Sequence, residues 1–124
     1  MDEESSLEEI HGRLRKKAAE LGMEVDCERY SSEGDVIGRL QQVPGTYAGV
    51  VLNAGALAHY SHSLRSAIGT MLVPCVEVCM PNVRAGEEFG HKSVIADVCV
   101  GTISGFGAHC YVLALEALAN LTGI

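Results

Sequence analysis

The sequence predicts an α/β domain built around a parallel sheet, and three observations carry that prediction. Segments with helical periodicity alternate with short strand-like segments along the whole chain. Two of the strand-like segments, 48–53 and 74–79, are nearly continuous apolar runs, as expected of strands buried on both faces. The chain has 124 residues, enough for one domain, 1–124, and too few for a separate cofactor module.

The elements follow in order. Residues 5–21 predict a helix: Ser5/Glu8 and Ser6/Glu9 both fit a capping box, and Leu7, Ile10, Leu14, Ala18 and Leu21 recur at helical spacing before Gly22. Residues 23–28 alternate as a strand does. The turn-rich Ser31-Ser32-Glu33-Gly34 leads into a second helix, 34–43, which Pro44-Gly45 ends. A buried strand at 48–53, a helix at 59–71 and a second buried strand at 74–79 come next. A polar loop at 80–93, a strand at 96–103 and a helix at 107–121 complete the chain. It opens on a helix, whereas open parallel sheets of this kind usually begin with a central strand, so a strand is expected to be missing at the front.

Charge bounds the partners. Lys plus Arg is 9 against 16 for Asp plus Glu, a net charge of −7, which disfavours the phosphate-tracking surface of nucleic-acid binders. The apolar runs are interrupted by Gly, Asn, His and Ser before a membrane-spanning length, so neither nucleic acid nor membrane is an expected partner. Seventeen of the 25 charged side chains fall within residues 1–39, and the remaining 85 residues hold eight. A surface so poor in charge predicts burial against other chains, hence a homo-oligomer. Five cysteines without a CxxC pair, together with an acidic start at Met1-Asp2-Glu3-Glu4, predict reduced thiols and a cytoplasmic location.

Ligands of open parallel sheets collect beyond the carboxyl ends of the strands. Those ends carry Asn53-Ala54-Gly55 with His59, then Cys79-Met80-Pro81-Asn82, then 101–107 with His109. His59 reads either as a ligand contact or as a helix cap. Glu77, inside the strand 74–79, must be paired or carry a raised pKa, and is either a structural anchor or part of a site. Gly105-Phe106-Gly107 reads as a phosphate cradle at a helix N-terminus or as a tight strand-to-helix turn. The Glu87-Glu88 pair reads as a solvated face. No nucleophile elbow, metal-ligand cluster or cofactor fingerprint is present.

Taken together, several segments resemble one family. Asn53-Ala54-Gly55-Ala56-Leu57-Ala58-His59, followed by Ser63-Leu64-Arg65-Ser66-Ala67, is similar to the substrate loop and helix of type II 3-dehydroquinate dehydratases. Val76-Glu77-Val78 with Asn82, then Glu87-Glu88-Phe89, His91 and Ser93, resembles the next block of that family. The most specific likeness is Gly101-Thr102-Ile103-Ser104-Gly105-Phe106-Gly107 with Tyr111 and Leu113-Ala114-Leu115, in which Cys110 stands where the family usually has glycine.

The resemblance implies a flavodoxin-like three-layer sandwich, trimer-based assembly up to a dodecamer, and no cofactor. It implies dehydration of 3-dehydroquinate to 3-dehydroshikimate in the shikimate pathway. A tyrosinate beside an arginine removes the proton next to the ketone, and a histidine protonates the leaving hydroxyl. Carried over by position, Asn53, His59, Met80 and Pro81 fall on substrate-binding positions, and Glu77 on the carboxylate that orients the acid. Cys79 replaces the acid itself, and a thiol donates a proton poorly to a leaving hydroxyl near neutral pH. Pro81 stands where a backbone N–H grips the substrate carboxylate, and proline has none. Gly86 and Gly90 replace arginines, and Ser66 replaces an aspartate that reaches a neighbouring subunit. The family's first strand and its lid with the catalytic arginine and tyrosine would precede Ser5.

Two expectations follow. The chain is a catalytically degenerate relative with an assembly or polyol-acid-binding role; the alternative is an active dehydratase whose complete chain carries the missing front. In the family's strand order the vacant position lies between 23–28 and 48–53, so those segments should pair directly or another segment should fill the gap.

Overall fold

A computed structural model of the protein describes residues 3–81 and 92–123, with side chains from Leu7 onward. Asn82, Gly86, Glu87, Glu88, Phe89, Gly90 and His91 lie outside the described residues. Three parallel strands, β1 (Val50–Leu52), β2 (Cys75–Cys79) and β3 (Gly101–Ser104), form the sheet in the order β1-β2-β3. The register sets Leu52 beside Glu77 and Cys79 beside Ser104.

Side-chain alternation on β2 divides the core between the two faces of the sheet. Val76 and Val78 pack against Cys110, Ala114 and Leu118 of α4 (His109–Thr122). Cys75, on the other face, joins Leu40 of α2 (Glu33–Leu40) and Leu64, Ile68 and Met71 of α3 (His62–Met71). Helix α1 (Glu3–Glu20) lies on α4, burying Ile10, Leu14 and Ala18 against Leu115. Spacing of four residues puts those three on one helical face, and Lys17 fastens the pair through Glu116 at 2.9 Å. Helices therefore cover both faces of the sheet, giving three layers.

Several expected boundaries move, for local reasons. The backbone is already helical at Ser5 and Ser6, so neither stands at a cap. The helix expected at 59–71 is two pieces, a 3₁₀ turn at Gly55–His59 and α3. Ser61 separates them because its hydroxyl accepts the Leu64 N–H at 3.0 Å, and the α-helix starts after it. The strand expected at 96–103 is also two pieces, a 3₁₀ turn at Ala96–Val98 and β3. Ser93 accepts the N–H groups of Ile95 and Ala96 at 3.3 and 3.2 Å and curls the chain before it can extend.

The strand expected at 23–28 does not form. Met23, Val25 and Cys27 are half-buried and Glu24, Asp26 and Glu28 exposed, so the alternation is present, yet the segment joins no ladder. Among the described residues it neither pairs with β1 nor has a segment inserted beside it, contrary to both expectations. Alternation fixes which side chains point inward; a strand needs a hydrogen-bonding neighbour as well. Side chains hold the segment instead. Arg39 donates to both Glu28 oxygens (Nε to Oε1 2.9 Å, Nη2 to Oε2 2.8 Å) and to the Tyr47 hydroxyl at 2.9 Å. The Tyr47 hydroxyl donates to Asp26, and the Tyr30 hydroxyl to Glu28.

Two predictions follow. Leu64 is fully buried, so Leu64→Ala should cost about 2–5 kcal/mol of stability, read by urea denaturation. The Arg39 network should loosen at both ends of the pH scale. Hydrogen bonds from Arg39 hold the Glu28 carboxyl below its usual range, so its contribution is present at neutral pH and is lost as pH falls through that lowered value. Donation to Asp26 raises Tyr47, so that contribution is lost as pH rises past the ordinary tyrosine value. Chemical shifts of residues 24–28, followed by pH titration, should move toward unstructured values in both directions while those of 76–78 hold.

Candidate functional site

The carboxyl ends of all three strands meet at one edge of the sheet. Asn53 follows β1 and is exposed; its Oδ1 accepts the Gly55 N–H at 3.1 Å and its Nδ2 donates to the Tyr111 hydroxyl at 2.9 Å. An amide carries two donors and two acceptor lone pairs, so each end retains capacity for one further bond toward a ligand. His59 does not cap α3, because Ser61 does; its Nδ1–H donates to the Lys92 carbonyl at 2.8 Å and ties the 3₁₀ turn to the loop before Ser93.

Glu77 is 8% exposed and accepts the Ser93 hydroxyl at Oε2, 2.8 Å away. Burial of this polar side chain is thereby compensated by a hydrogen bond. The same Ser93 oxygen receives two backbone N–H groups, so one side chain both pairs the carboxylate and shapes the turn that follows.

Cys79 ends β2 and is half-buried. Burial first, then the Glu77 carboxylate and Cys110, push its thiol above the ordinary value, so it stays protonated near neutral pH. Met80 is half-buried and packs against the cluster of Ile10, Leu14 and Leu115, to which Tyr111 also belongs. Pro81 is exposed.

The turn from β3 into α4 has Gly105 at φ +95° and Gly107 at φ +58°, conformations that favour glycine. Its amides point inward: Gly105 N–H donates to the Cys79 carbonyl at 3.2 Å and Gly107 N–H to that of Met80 at 2.9 Å. Phe106 N–H donates to the Cys110 sulfur at 3.4 Å, and the Cys110 thiol to the Cys79 carbonyl at 3.7 Å. Bonded in this way, the amides make a tight strand-to-helix turn rather than a phosphate cradle. The buried Cys110 is one of its fasteners.

Two functional neighbours escaped the sequence reading. Tyr111, matched there as part of a motif, received no role, yet it orients Asn53 from 58 residues away. Ser93 was likewise not assigned as the partner of Glu77. No short-range pattern signals either contact. Beside Asn53 a cleft of about 340 Å³ opens toward α2, lined by Tyr30, Ser32, Val36, Leu57 and Tyr60. Among the described residues no His/Cys/Asp/Glu group is arranged to hold a metal ion, and no helix is long and apolar enough to cross a membrane.

A parallel sheet covered on both faces, with an amide just beyond β1, an imidazole at the end of the 3₁₀ turn that follows and a carboxylate near the end of β2, defines an α/β protein of the open-sheet class. Residues 2–119 match the family model described as dehydroquinase class II. The 3-dehydroquinate dehydratase of Desulforudis audaxviator (strain MP104C) is 45% identical over 116 residues, 94% of this chain and 77% of that protein. That of Bacillus cytotoxicus is 39% identical over 118 residues, 95% of this chain and 81% of that one. Among solved structures, the type II dehydroquinase from Propionibacterium acnes superposes with a TM-score of 0.86 at 35% identity, covering 91% of this chain and 83% of that one. A 3-dehydroquinate dehydratase-like protein from Bifidobacterium longum gives 0.78 at 30%, covering 95% and 88%. The chain belongs to the class II dehydroquinase family, and its α/β architecture is that family's flavodoxin-like fold.

The Glu77–Ser93 pair yields a prediction. Ser93→Ala leaves a buried carboxylate without its donor and two backbone amides without their acceptor, which should cost about 1.5–3 kcal/mol or more by urea denaturation.

Proposed function

We propose that this protein is a catalytically degenerate class II dehydroquinase that holds a small polyol acid at the carboxyl edge of its sheet and, as the chain stands, does not measurably dehydrate 3-dehydroquinate. The observation that carries this reading is Cys79. At the position of the family's acid stands a thiol pushed above its ordinary pKa by burial, a poor donor to a leaving hydroxyl near neutral pH. Losing such an acid costs roughly 10²–10⁴-fold. Pro81 removes a carboxylate-binding N–H, and Gly86 and Gly90 remove two cations, so positioning suffers together with proton transfer.

Nor does the chain's arginine-paired tyrosine supply a base. Arg39 lies 5.2 Å from the centroid of the Tyr47 ring and donates to its hydroxyl, which would favour a tyrosinate. The hydroxyl in turn donates to Asp26, and that bond outweighs the arginine and holds the proton on. What remains is a binding edge: Asn53 held by Tyr111 and Gly55, His59 held by Lys92, and Glu77 held by Ser93.

A second reading, turnover at this edge within a longer chain, is favoured by the names of the relatives, which this chain matches over 77% and 81% of their lengths. The two readings part on one assay, the appearance of the conjugated enone of 3-dehydroshikimate by ultraviolet absorbance. The purified chain should give none, and Cys79→His alone should not restore it. Turnover near 1 per second or faster would overturn the degenerate reading.

Assembly belongs to the same proposal. Leu72 is 90% exposed, Phe106 65% and Val100 56%, all within the charge-poor residues 40–124. A cytoplasmic trimer or larger homo-oligomer would cover such a surface. Light scattering should report that mass at micromolar concentration; a stable folded monomer would contradict it.

A further inference from the structure

Two thiols outside the edge site meet at the opposite end of the sheet. Cys75 opens β2 and is 1% exposed; Cys99 follows the Ala96–Val98 turn and is half-buried. The chain returns alongside β2 here, because the Val100 N–H donates to the Cys75 carbonyl at 2.9 Å and Val76 pairs with Gly101 one step later. Both cysteines pack in the core cluster that also holds Leu64, Ile68 and Ile95. Residue 99 precedes β3, so the alternation of the ladder does not set its side chain's direction. The Val100 N–H bond to the Cys75 carbonyl keeps the two backbones close to one strand spacing apart, roughly 5–6 Å Cα to Cα at residues 75 and 99. That falls inside the range of roughly 4.4–6.8 Å that a disulfide spans.

We propose that Cys75 and Cys99 form a peroxide-responsive dithiol that closes to a disulfide between the start of β2 and the approach to β3. The roles divide by exposure. Cys99 is the accessible thiol, and the hydrogen bond from Cys75 lowers its pKa, whereas Cys27 and Cys79 are raised by burial. Cys75 is raised by the same bond and by burial, and acts second.

The chemistry balances on one hydroperoxide. The Cys99 thiolate attacks the O–O bond, which breaks; with hydrogen peroxide the leaving hydroxide takes up a proton as water and Cys99 becomes a sulfenic acid. The Cys75 sulfur then attacks the Cys99 sulfur, the S–O bond breaks, and a second water leaves as the S–S bond forms. Two thiols are oxidised by two electrons and one peroxide is reduced by two. The link would fix the segment carrying Ser93 and Asp97 to the central strand, joining a redox signal to the loop that holds Glu77.

The test treats the full chain with stoichiometric hydrogen peroxide, blocks remaining thiols, and maps peptides without reduction. Free thiols should fall from five to three, with one cross-linked peptide joining Cys75 to Cys99, reversed by dithiothreitol. In Cys75→Ala the Cys99 sulfenic acid should persist and be captured by dimedone, and in Cys99→Ala thiol loss should slow by about tenfold or more. If either variant fails to fold, the wild-type peptide map decides alone. Five thiols retained, or a cross-link that includes Cys27, Cys79 or Cys110, would overturn the proposal.

Discussion

Strand β2 is hydrogen-bonded on both sides and covered on both faces, and the rest of the molecule is arranged around it. Its residues Cys75 to Val78 are all buried, so each must face a partner. Val76 and Val78 take α4, Cys75 takes α2 and α3, and Glu77 takes Ser93. The two ladders then fix what lies beyond the strand ends. With Leu52 beside Glu77 and Cys79 beside Ser104, Asn53 and the Gly105–Gly107 turn are placed on one edge. A slip of one residue would turn Glu77 into the α4 layer, among Val76, Val78, Ala114 and Leu118 and away from Ser93.

Much of this was legible in the sequence because β2 announces itself. A nearly unbroken apolar run with a single carboxylate can be satisfied only by two covered faces and one dedicated partner. The four helices were legible from their periodicity, and the carboxyl-edge location from the order of the elements. What failed to show were features that depend on a neighbour. The alternation at 23–28 sets the inward face of a segment whose ladder does not form, and the Arg39 network that holds it joins residues up to 21 apart. The turn at 96–98 hides inside a strand-like pattern because the signal is a hydroxyl at Ser93 that also serves Glu77. Tyr111 to Asn53 is a contact that only the fold creates.

The candidate site combines retained support with altered chemistry. Asn53, His59 and Glu77 are each held by a defined partner, so the three side chains are fixed in place by the fold itself. In the proposed reading the altered positions are Cys79 and Pro81, which adjoin the end of β2. Cys79 still serves the fold, since its carbonyl receives the turn that starts α4. That division, with backbone roles kept and side-chain chemistry changed, is the physical basis for reading the edge as a binding site.

The most direct measurement of that claim is a titration of isotopically labelled protein with 3-dehydroquinate, followed by amide chemical shifts. Saturable shifts at Asn53, Gly55, His59 and the Gly105–Gly107 turn, with the ligand recovered unchanged, are the predicted result. Shifts confined to other surfaces, or no saturation at millimolar ligand, would contradict the account.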